Sequence, residues 1–240
     1  MRVTKQMADE SNKTAPPQAA PAGDTGAGRM ILTMAGIGLV CGILIVCTYR
    51  WTFAGIKENK ARFLDQAIFQ VLPDTKEKIT FNYINNVLTP AGEDEQEGMK
   101  FYAGYNAAHK LTGVAVQAQG QGFQDLVQLL YGYSPDCHCI VGMKVLDSRE
   151  TPGLGDKIET DANFRANFAA LDVTLNDAMD EIANPIVLVK PRQKHHPWEI
   201  EAISGATISS RAVTDILHAS SAAAIPIIET NLTVLQQGAR

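Results

Sequence analysis

The stretch ISGATISSRAV, Ile203–Val213, stands where the chain passes from an extended segment into a helix. The pattern predicts a helix from about Thr207 to just before Pro226. This prediction rests on apolar residues at helical spacing: Ile208, Ala212, Val213, Ile216 and Leu217. Hydroxyl residues and a glycine crowd the helix start. Two interpretations are open: Ser204 is an ordinary N-cap, or the helix start holds a phosphate group.

The phosphate interpretation has a physical basis. A helix N-terminus carries unpaired N–H groups and roughly half a positive charge, so it attracts phosphate. Gly205 lets the backbone approach a ligand closely, and Ala206 is small for the same reason. Thr207 would present its hydroxyl beside the phosphate, which makes a phosphoester through Thr207 geometrically reasonable if an enzyme forms it. Capping by Ser204 fits the same residues equally well.

The segment ETPGLGDK, Glu150–Lys157, is a second candidate loop. Its proline fixes one φ angle, and its two glycines allow conformations or close approaches that other residues forbid. Leu154 is thereby presented on a stiff loop, as a side chain suited to an apolar surface. Glu150 and Thr151 add hydrogen-bonding groups. A simple strand-to-helix turn explains the loop equally well, but the two loops together suit an aromatic cofactor with a phosphate tail.

The twenty residues Met30–Tyr49, MILTMAGIGLVCGILIVCTY, contain no charge. At about 1.5 Å per residue such a helix spans roughly 30 Å, the thickness of a hydrocarbon core. A core helix would show a polar stripe, and a signal peptide would have a shorter apolar region and a small-residue cleavage site. We therefore predict a retained transmembrane helix over residues 29–51, preceded by a disordered tail over residues 1–28.

Charge gives two further indications. The 21 basic and 26 acidic residues yield a net charge of −5, which gives no reason to expect a nucleic-acid partner. Within about 20 residues of the span, Lys13 and Arg29 precede it and four basic residues follow it. The four that follow are Arg50, Lys57, Lys60 and Arg62. Taken alone, this count weakly favours a cytoplasmic C-terminal domain.

The remaining chain predicts an α+β fold with a mainly antiparallel sheet and flanking helices, because consecutive strands are followed by helices and one late strand. We expect a membrane-proximal helix and first strands over residues 52–98, a core domain over 99–225 and a C-terminal tail over 226–240. The acidic run at 92–98 is expected to be a hairpin tip. The predicted helices are Ile56–Leu72 and Ala162–Ala170, and the predicted strands are Ile79–Leu88, Met99–Tyr105, Leu111–Ala118, Leu126–Tyr133, Cys139–Leu146 and Ile186–Lys190.

Cysteine and histidine patterns do not predict a metal site. A disulfide between Cys137 and Cys139, two residues apart, would be strained and uncommon, so we expect free thiols there. Adjacent side chains such as His195 and His196 point opposite ways in an extended segment and rarely share a metal. We expect these histidines on a surface loop near the cofactor, and we assign no side chain as a catalytic acid, base or nucleophile.

Three motifs and the single span carry a family resemblance. SGAT at 204–207, RETPGLGDKIE at 149–159 and YGYSPDCHCIVGMKV at 131–145 resemble the G subunit of the Rnf electron-transport complex. The resemblance covers about residues 30–225. The domain is shared with the C subunit of the sodium-pumping NADH:quinone oxidoreductase.

The resemblance implies a covalent flavin. In that family the last threonine of the motif carries FMN through a phosphoester bond formed by a flavin transferase, and this position is Thr207 here. The other expected cofactor-binding residues form two groups. They are Ser204, Gly205 and Ala206 in the first loop, and Glu150, Thr151, Gly153, Leu154 and Gly155 in the loop that packs against the isoalloxazine. Glu201 stands where the transferase signature usually has Asp.

The function implied is that of a membrane-anchored flavoprotein that relays electrons within an ion-translocating ferredoxin:NAD oxidoreductase complex. Its expected partners are the other subunits of the complex, the flavin transferase and membrane lipid. The resemblance places it in the bacterial inner membrane, as a single-pass protein with the flavin domain on the periplasmic, outer face. This contradicts the charge count. The alternatives are a cofactor-free structural or assembly subunit, and a membrane-bound regulatory flavin domain.

Overall fold

The first element of the chain is helix α1, Thr25–Val71. The computed structural model describes residues 25–91 and 98–238, and it divides the chain into two compact units, Met1–Ile56 and Lys57–Arg240. Helix α1 begins in the first unit and ends in the second. Within the described ranges it is the one helix long and apolar enough to cross a membrane, with a mean hydropathy of 2.6 over its most apolar window.

Helix α1 corrects two predictions. It begins at Thr25, so residues 25–28 are helical and not disordered, whereas residues 1–24 of the predicted tail lie outside the described residues. It also runs without interruption through the predicted boundary between the span and the membrane-proximal helix. No proline interrupts residues 50–56, and the helix continues through Gly55.

The second unit is built on one large sheet. Seven strands lie in the order β2-β1-β3-β4-β5-β6-β7, and every neighbouring pair is antiparallel. A separate parallel pair is formed by β8 and β9. The predicted α+β fold with a mainly antiparallel sheet is confirmed. The strands are β1 Glu77–Ile84, β2 Val87–Pro90, β3 Met99–Tyr105, β4 Leu111–Gln121, β5 Leu126–Ser134, β6 Cys139–Asp147, β7 Leu171–Asp172, β8 Val187–Val189 and β9 Glu199–Glu201; the helices after β6 are α2 Lys157–Thr160, α3 Ala162–Ala166, α4 Thr207–Thr230 and α5 Leu232–Gln237.

Each face of the large sheet is covered by a helix. On one face, side chains of β3, β4 and β5 form the main core with the apolar face of α4, which includes Val213 and Leu217. On the other face, Ile68 in the last turn of α1 and Leu72 just after it pack against Ala115 and Leu130 in a smaller cluster. The strands alternate between these two clusters, as the period of a strand requires. Helix α4, which begins within the stretch ISGATISS, is therefore fixed on the sheet.

The segment predicted as one strand, Ile79–Leu88, is a hairpin. Asn85 and Asn86 connect β1 to β2 with φ angles of 51° and 64°. Two consecutive positive φ angles define the tight turn that matches strand twist, and asparagine tolerates that region better than most residues. The following acidic run at 92–97 lies outside the described residues.

The C-terminal region also differs from its prediction. Helix α4 does not end before Pro226 but continues through it to Thr230, and Ile225 and Ile228 on either side of the proline are buried. Helix α5 then places Leu235 in the core. Burial of this apolar face outweighs the one backbone bond that proline removes. The predicted tail over 226–240 is therefore structured as far as residue 238.

Cys137 and Cys139 form a disulfide, so the prediction of free thiols is wrong. Both lie where β5 turns into β6, and the residue between them, His138, has a φ of 50°. This left-handed residue folds the chain back and leaves the two Cα atoms 5.2 Å apart, within the usual range for disulfides of roughly 4.4–6.8 Å.

Candidate cofactor site

The start of α4 lacks a side-chain cap. Thr207 is the first helical residue, and the N-cap position belongs to Ala206, which has no side chain able to accept a hydrogen bond. Ser204 is exposed and lies outside the cap position, so ordinary capping by Ser204 is not what the structure shows. Within the described residues, the N–H groups of Thr207, Ile208 and Ser209 have no hydrogen-bond acceptor. Three donors therefore remain available to a ligand.

The turn before the helix is fixed by its backbone. Gly205 has a φ of +83°, in the region that favours glycine, and a Cβ at this position would have no atom within 4 Å. The Ala206 N–H donates to the Ile203 carbonyl at 3.1 Å, and the buried Ser210 hydroxyl accepts from the Ile203 N–H at 3.1 Å. The glycine is required for its conformation, and the turn places Thr207 at the surface.

The two loops singled out in the sequence meet at one cavity of about 340 Å³. Seven of the nine predicted site residues line it: Glu150, Thr151, Leu154, Gly155, Gly205, Ala206 and Thr207. Neither Ser204 nor Gly153 does. Gly153 acts through its backbone instead, with a φ of +78° that turns the loop.

Three lining residues were not predicted: Phe123, Ile208 and Ser209. The Phe123 and Ile208 side chains are each 57% exposed, and Leu154 is 51% exposed. An aromatic in a turn has no periodicity that marks it, and the helical pattern assigned Ile208 to the core. One feature of the sequence could have indicated Phe123. It follows Gly122 in the turn just before β5, and large apolar residues are unusual at a turn.

Glu150 forms part of the cavity wall and is only 6% exposed. Its Oε1 atom accepts hydrogen bonds from the N–H groups of Phe123, at 2.7 Å, and Gln124, at 3.2 Å. Its Oε2 atom accepts from the Ser209 hydroxyl at 2.5 Å. Both carboxylate oxygens are therefore committed to the protein. That Glu150 binds the cofactor stays a prediction; within the protein, its contacts hold other residues in place.

The rest of the loop is held by local bonds. The Thr151 carbonyl accepts from the N–H groups of Leu154 and Gly155, at 3.1 and 3.0 Å, and the Thr151 hydroxyl accepts from the Gln124 side chain at 2.9 Å. These bonds present Leu154 to the solvent side of the cavity. The cavity thus combines apolar side chains with free N–H donors and one exposed hydroxyl, the combination that FMN requires for its ring and its phosphate.

A larger cavity of about 680 Å³ lies beyond Ser204, lined by residues such as Lys157, Lys194 and Glu201. The neighbouring histidines are held by their backbone: Glu199 Oε2 accepts from the N–H groups of His195, at 2.6 Å, and His196, at 3.0 Å. Across residues 25–91 and 98–238, no three His, Cys, Asp or Glu side chains are grouped as a metal site would require.

The Glu199 carboxylate gives a pH prediction. Hydrogen bonds from the His195 and His196 N–H groups lower the pKa of Glu199 from its ordinary value of 4.5. A lowered pKa stabilises the fold above the ordinary value, and this contribution is lost as the pH falls through the folded-state value. In urea unfolding, Glu199→Gln should be less stable than the parent at about pH 7, with the difference shrinking below about pH 4.5. A difference that stays constant down to about pH 3 would contradict this assignment.

Comparisons with known proteins show which family the chain resembles. The family model described as an FMN-binding domain matches residues 122–221, which include both loops. The G subunit of an ion-translocating oxidoreductase complex from Methanosarcina acetivorans is 31% identical over 80% of this chain and 91% of its own length. The G subunit of a proton-translocating ferredoxin:NAD(+) oxidoreductase complex from Clostridium ljungdahlii is 27% identical over 73% of this chain and 79% of its own.

Solved structures share the fold. NqrC from Shewanella oneidensis aligns with a TM-score of 0.52 at 18% identity, over 71% of this chain and 87% of its own. The C subunit of the Na(+)-translocating NADH-quinone reductase from Parabacteroides distasonis aligns with a TM-score of 0.50 at 20% identity, over 64% and 78%. Because the match to the Methanosarcina acetivorans subunit is 31% identical and covers 91% of that relative's length, the chain belongs to the family of G subunits of ion-translocating oxidoreductase complexes.

Proposed function

We propose that this chain carries FMN as a phosphoester on Thr207 and relays electrons through it. The observation that carries the proposal is the helix start of α4, where an exposed threonine hydroxyl lies beside three N–H groups with no acceptor in the described residues. These groups would stabilise the negative charge of a phosphate. When bound, FMN supplies the redox chemistry.

The chain's own residues would position the flavin. Leu154, Phe123 and Ile208 offer exposed apolar surface on which the isoalloxazine ring can lie. The turn at Gly205 brings the backbone close to the phosphate without a side chain in the way. Gly153 turns its loop without lining the cavity, and Ser204 does not line it. None of these residues is needed as an acid or base, because a tethered carrier only has to hold its cofactor and pass electrons on.

The relatives indicate the larger assembly. The G subunits from Clostridium ljungdahlii and Acetobacterium woodii are named as parts of proton- and Na(+)-translocating ferredoxin:NAD(+) oxidoreductase complexes. We infer that this chain is the corresponding electron-transfer subunit, anchored in lipid by α1 and in contact with the other subunits. A flavin transferase would attach the FMN. A cofactor-free structural role is the competing function.

We further infer that the flavin domain lies on the outer, periplasmic face. The Cys137–Cys139 disulfide supports this orientation, because disulfides persist in oxidising compartments and are rare in the cytosol. The opposite bias of the basic residues around the span is small, and the other subunits of a complex also influence orientation. A membrane-impermeant thiol reagent applied to intact cells after mild reduction should label Cys137, the exposed member of the pair. Labelling only after the membrane is broken would contradict the orientation.

The covalent flavin is tested by expressing the chain with and without a flavin transferase. We expect a fluorescent band after denaturing electrophoresis only when the transferase is present, because a covalent flavin survives denaturation and a bound one does not. A band that never fluoresces would contradict the carrier function and favour the structural one. The sample without transferase is the matched control.

A further inference from the structure

We propose that Glu150 and Ser209 are positioning residues, which fix the spacing between the walls of the cavity and thereby the surroundings of the flavin ring. This inference rests on the proposed function, because it assigns how the same site is held in shape. Neither residue is placed in contact with the reacting atoms. We call the hydrogen bond from the Ser209 hydroxyl to the Glu150 carboxylate the brace.

Three segments converge on the Glu150 carboxylate. Oε1 holds the turn at Phe123 and Gln124, Oε2 holds Ser209 on the first turn of α4, and the residue itself belongs to the loop that carries Leu154. Within the part of the chain that the structure describes, Glu150 makes no ion pair. A buried carboxylate without a cation depends on its hydrogen-bond donors, so each of the three donors is held strongly.

The backbone around the brace lies so close to its side chains that there is no room for a Cβ at two glycines. A Cβ at Gly155 would lie 2.5 Å from Glu150 Oε2 and 2.7 Å from the Ser209 hydroxyl. A Cβ at Gly122 would lie 2.5 Å from Glu150 Oε1. Two glycines are thus required so that the loop and the turn can close on the same side chain. This packing leaves the three segments little freedom to slide past one another.

Each apolar wall residue adjoins a contact of the brace. Leu154 precedes Gly155, Phe123 gives its own N–H to the carboxylate, and Ile208 precedes Ser209. Among the described residues, the brace is the one hydrogen bond between α4 and the loop at 150–155. Its loss would leave a buried carboxylate oxygen without a donor, an unfavourable state that is relieved if the loop opens to water.

The first test uses the chain without flavin. In full-length protein expressed without the transferase, Ser209→Ala should speed amide hydrogen exchange at 122–125 and 151–156 about tenfold, because local opening becomes easier by about 1.4 kcal/mol. Ser209→Thr keeps the hydroxyl and should restore slow exchange. Ser221→Ala is the matched control: Ser221 is equally buried on α4, but its hydroxyl bonds only within the helix, to the His218 carbonyl.

The second test uses the flavin-loaded chain. Ser209→Ala should raise the quenching of flavin fluorescence by iodide about threefold and shift the flavin reduction potential, whereas Ser209→Thr and Ser221→Ala should match the parent. If the alanine variant does not fold, Glu150→Gln is used instead, since it keeps the side-chain shape but weakens the hydrogen-bond acceptor. Iodide quenching should then rise and the flavin reduction potential should shift, as expected for Ser209→Ala.

Outcomes separate the two proposals. Parent-like exchange and parent-like quenching in Ser209→Ala would overturn the positioning role. Loss of attached flavin in Ser209→Ala with recovery in Ser209→Thr would support it, because the helix start would then be displaced from the transferase. If the parent itself never carries flavin, the proposed function fails, and the exchange test alone decides whether the brace holds the loops.

Discussion

Thr207→Ala should abolish covalent flavin completely while leaving the domain folded. The substitution removes the oxygen that would form the phosphoester. Thr207 is exposed at the first position of α4, and within the described residues its side chain makes no hydrogen bond that the fold could lose. Alanine is also a good helix former at this position. The measurement is in-gel flavin fluorescence after co-expression with a transferase, beside a circular dichroism spectrum of the same sample.

The control for this substitution is Thr230→Ala, which makes the same change on the last turn of the same helix. The Thr230 hydroxyl bonds only to the Pro226 carbonyl, at 2.8 Å, and lies far along the helix from the cavity. Its fluorescence should equal that of the parent. Fluorescence that survives in Thr207→Ala would place the attachment on another hydroxyl and refute the assignment of Thr207.

Gly132→Ala should lower the free energy of unfolding by about 3 kcal/mol, the upper range for overpacking a core. A Cβ at Gly132 would lie 2.4 Å from the Val71 carbonyl oxygen and 2.8 Å from Leu72 Cδ2. The first contact is with backbone, at the end of α1, where Gly142 meets the same carbonyl. A rotamer change cannot relieve it, so the helix end must move away from the sheet.

Urea unfolding of the detergent-solubilised chain, followed by circular dichroism, measures this effect. Gly55→Ala is the control, because a Cβ there would have no atom within 4 Å and alanine favours a helix. That variant should be at least as stable as the parent. A Gly132→Ala variant within about 0.5 kcal/mol of the parent would show that the helix end is not packed as described.

Local patterns predicted the central sheet well. Strands β3 to β6 follow from apolar alternation bounded by turns, and the observed limits differ by few residues from those expected. The errors lie where tertiary packing overrides local preference. Pro226 continues a helix because the residues beside it are buried, and Cys137 pairs with Cys139 because the hairpin folds back at His138.

The site was predictable only in part. Glycine, proline and the SGAT motif mark both loops in the sequence, but nothing local shows that the loops face each other across one cavity. Phe123 and Ser209 were missed because their roles depend on residues far away in the chain. Glu150 was recognised as a polar group in the loop, yet its partners, which make it a structural acceptor, are visible only in three dimensions.

Mass spectrometry of one tryptic peptide tests the central proposal most directly. Cleavage after Lys194 and Arg211 releases residues 195–211, which contain Ser204, Thr207, Ser209 and Ser210 as the only hydroxyl side chains. In protein co-expressed with a flavin transferase, the peptide should gain the mass of FMN less one water, and fragmentation should place that mass on Thr207. An unmodified peptide, or a modification on one of the serines, would contradict the account.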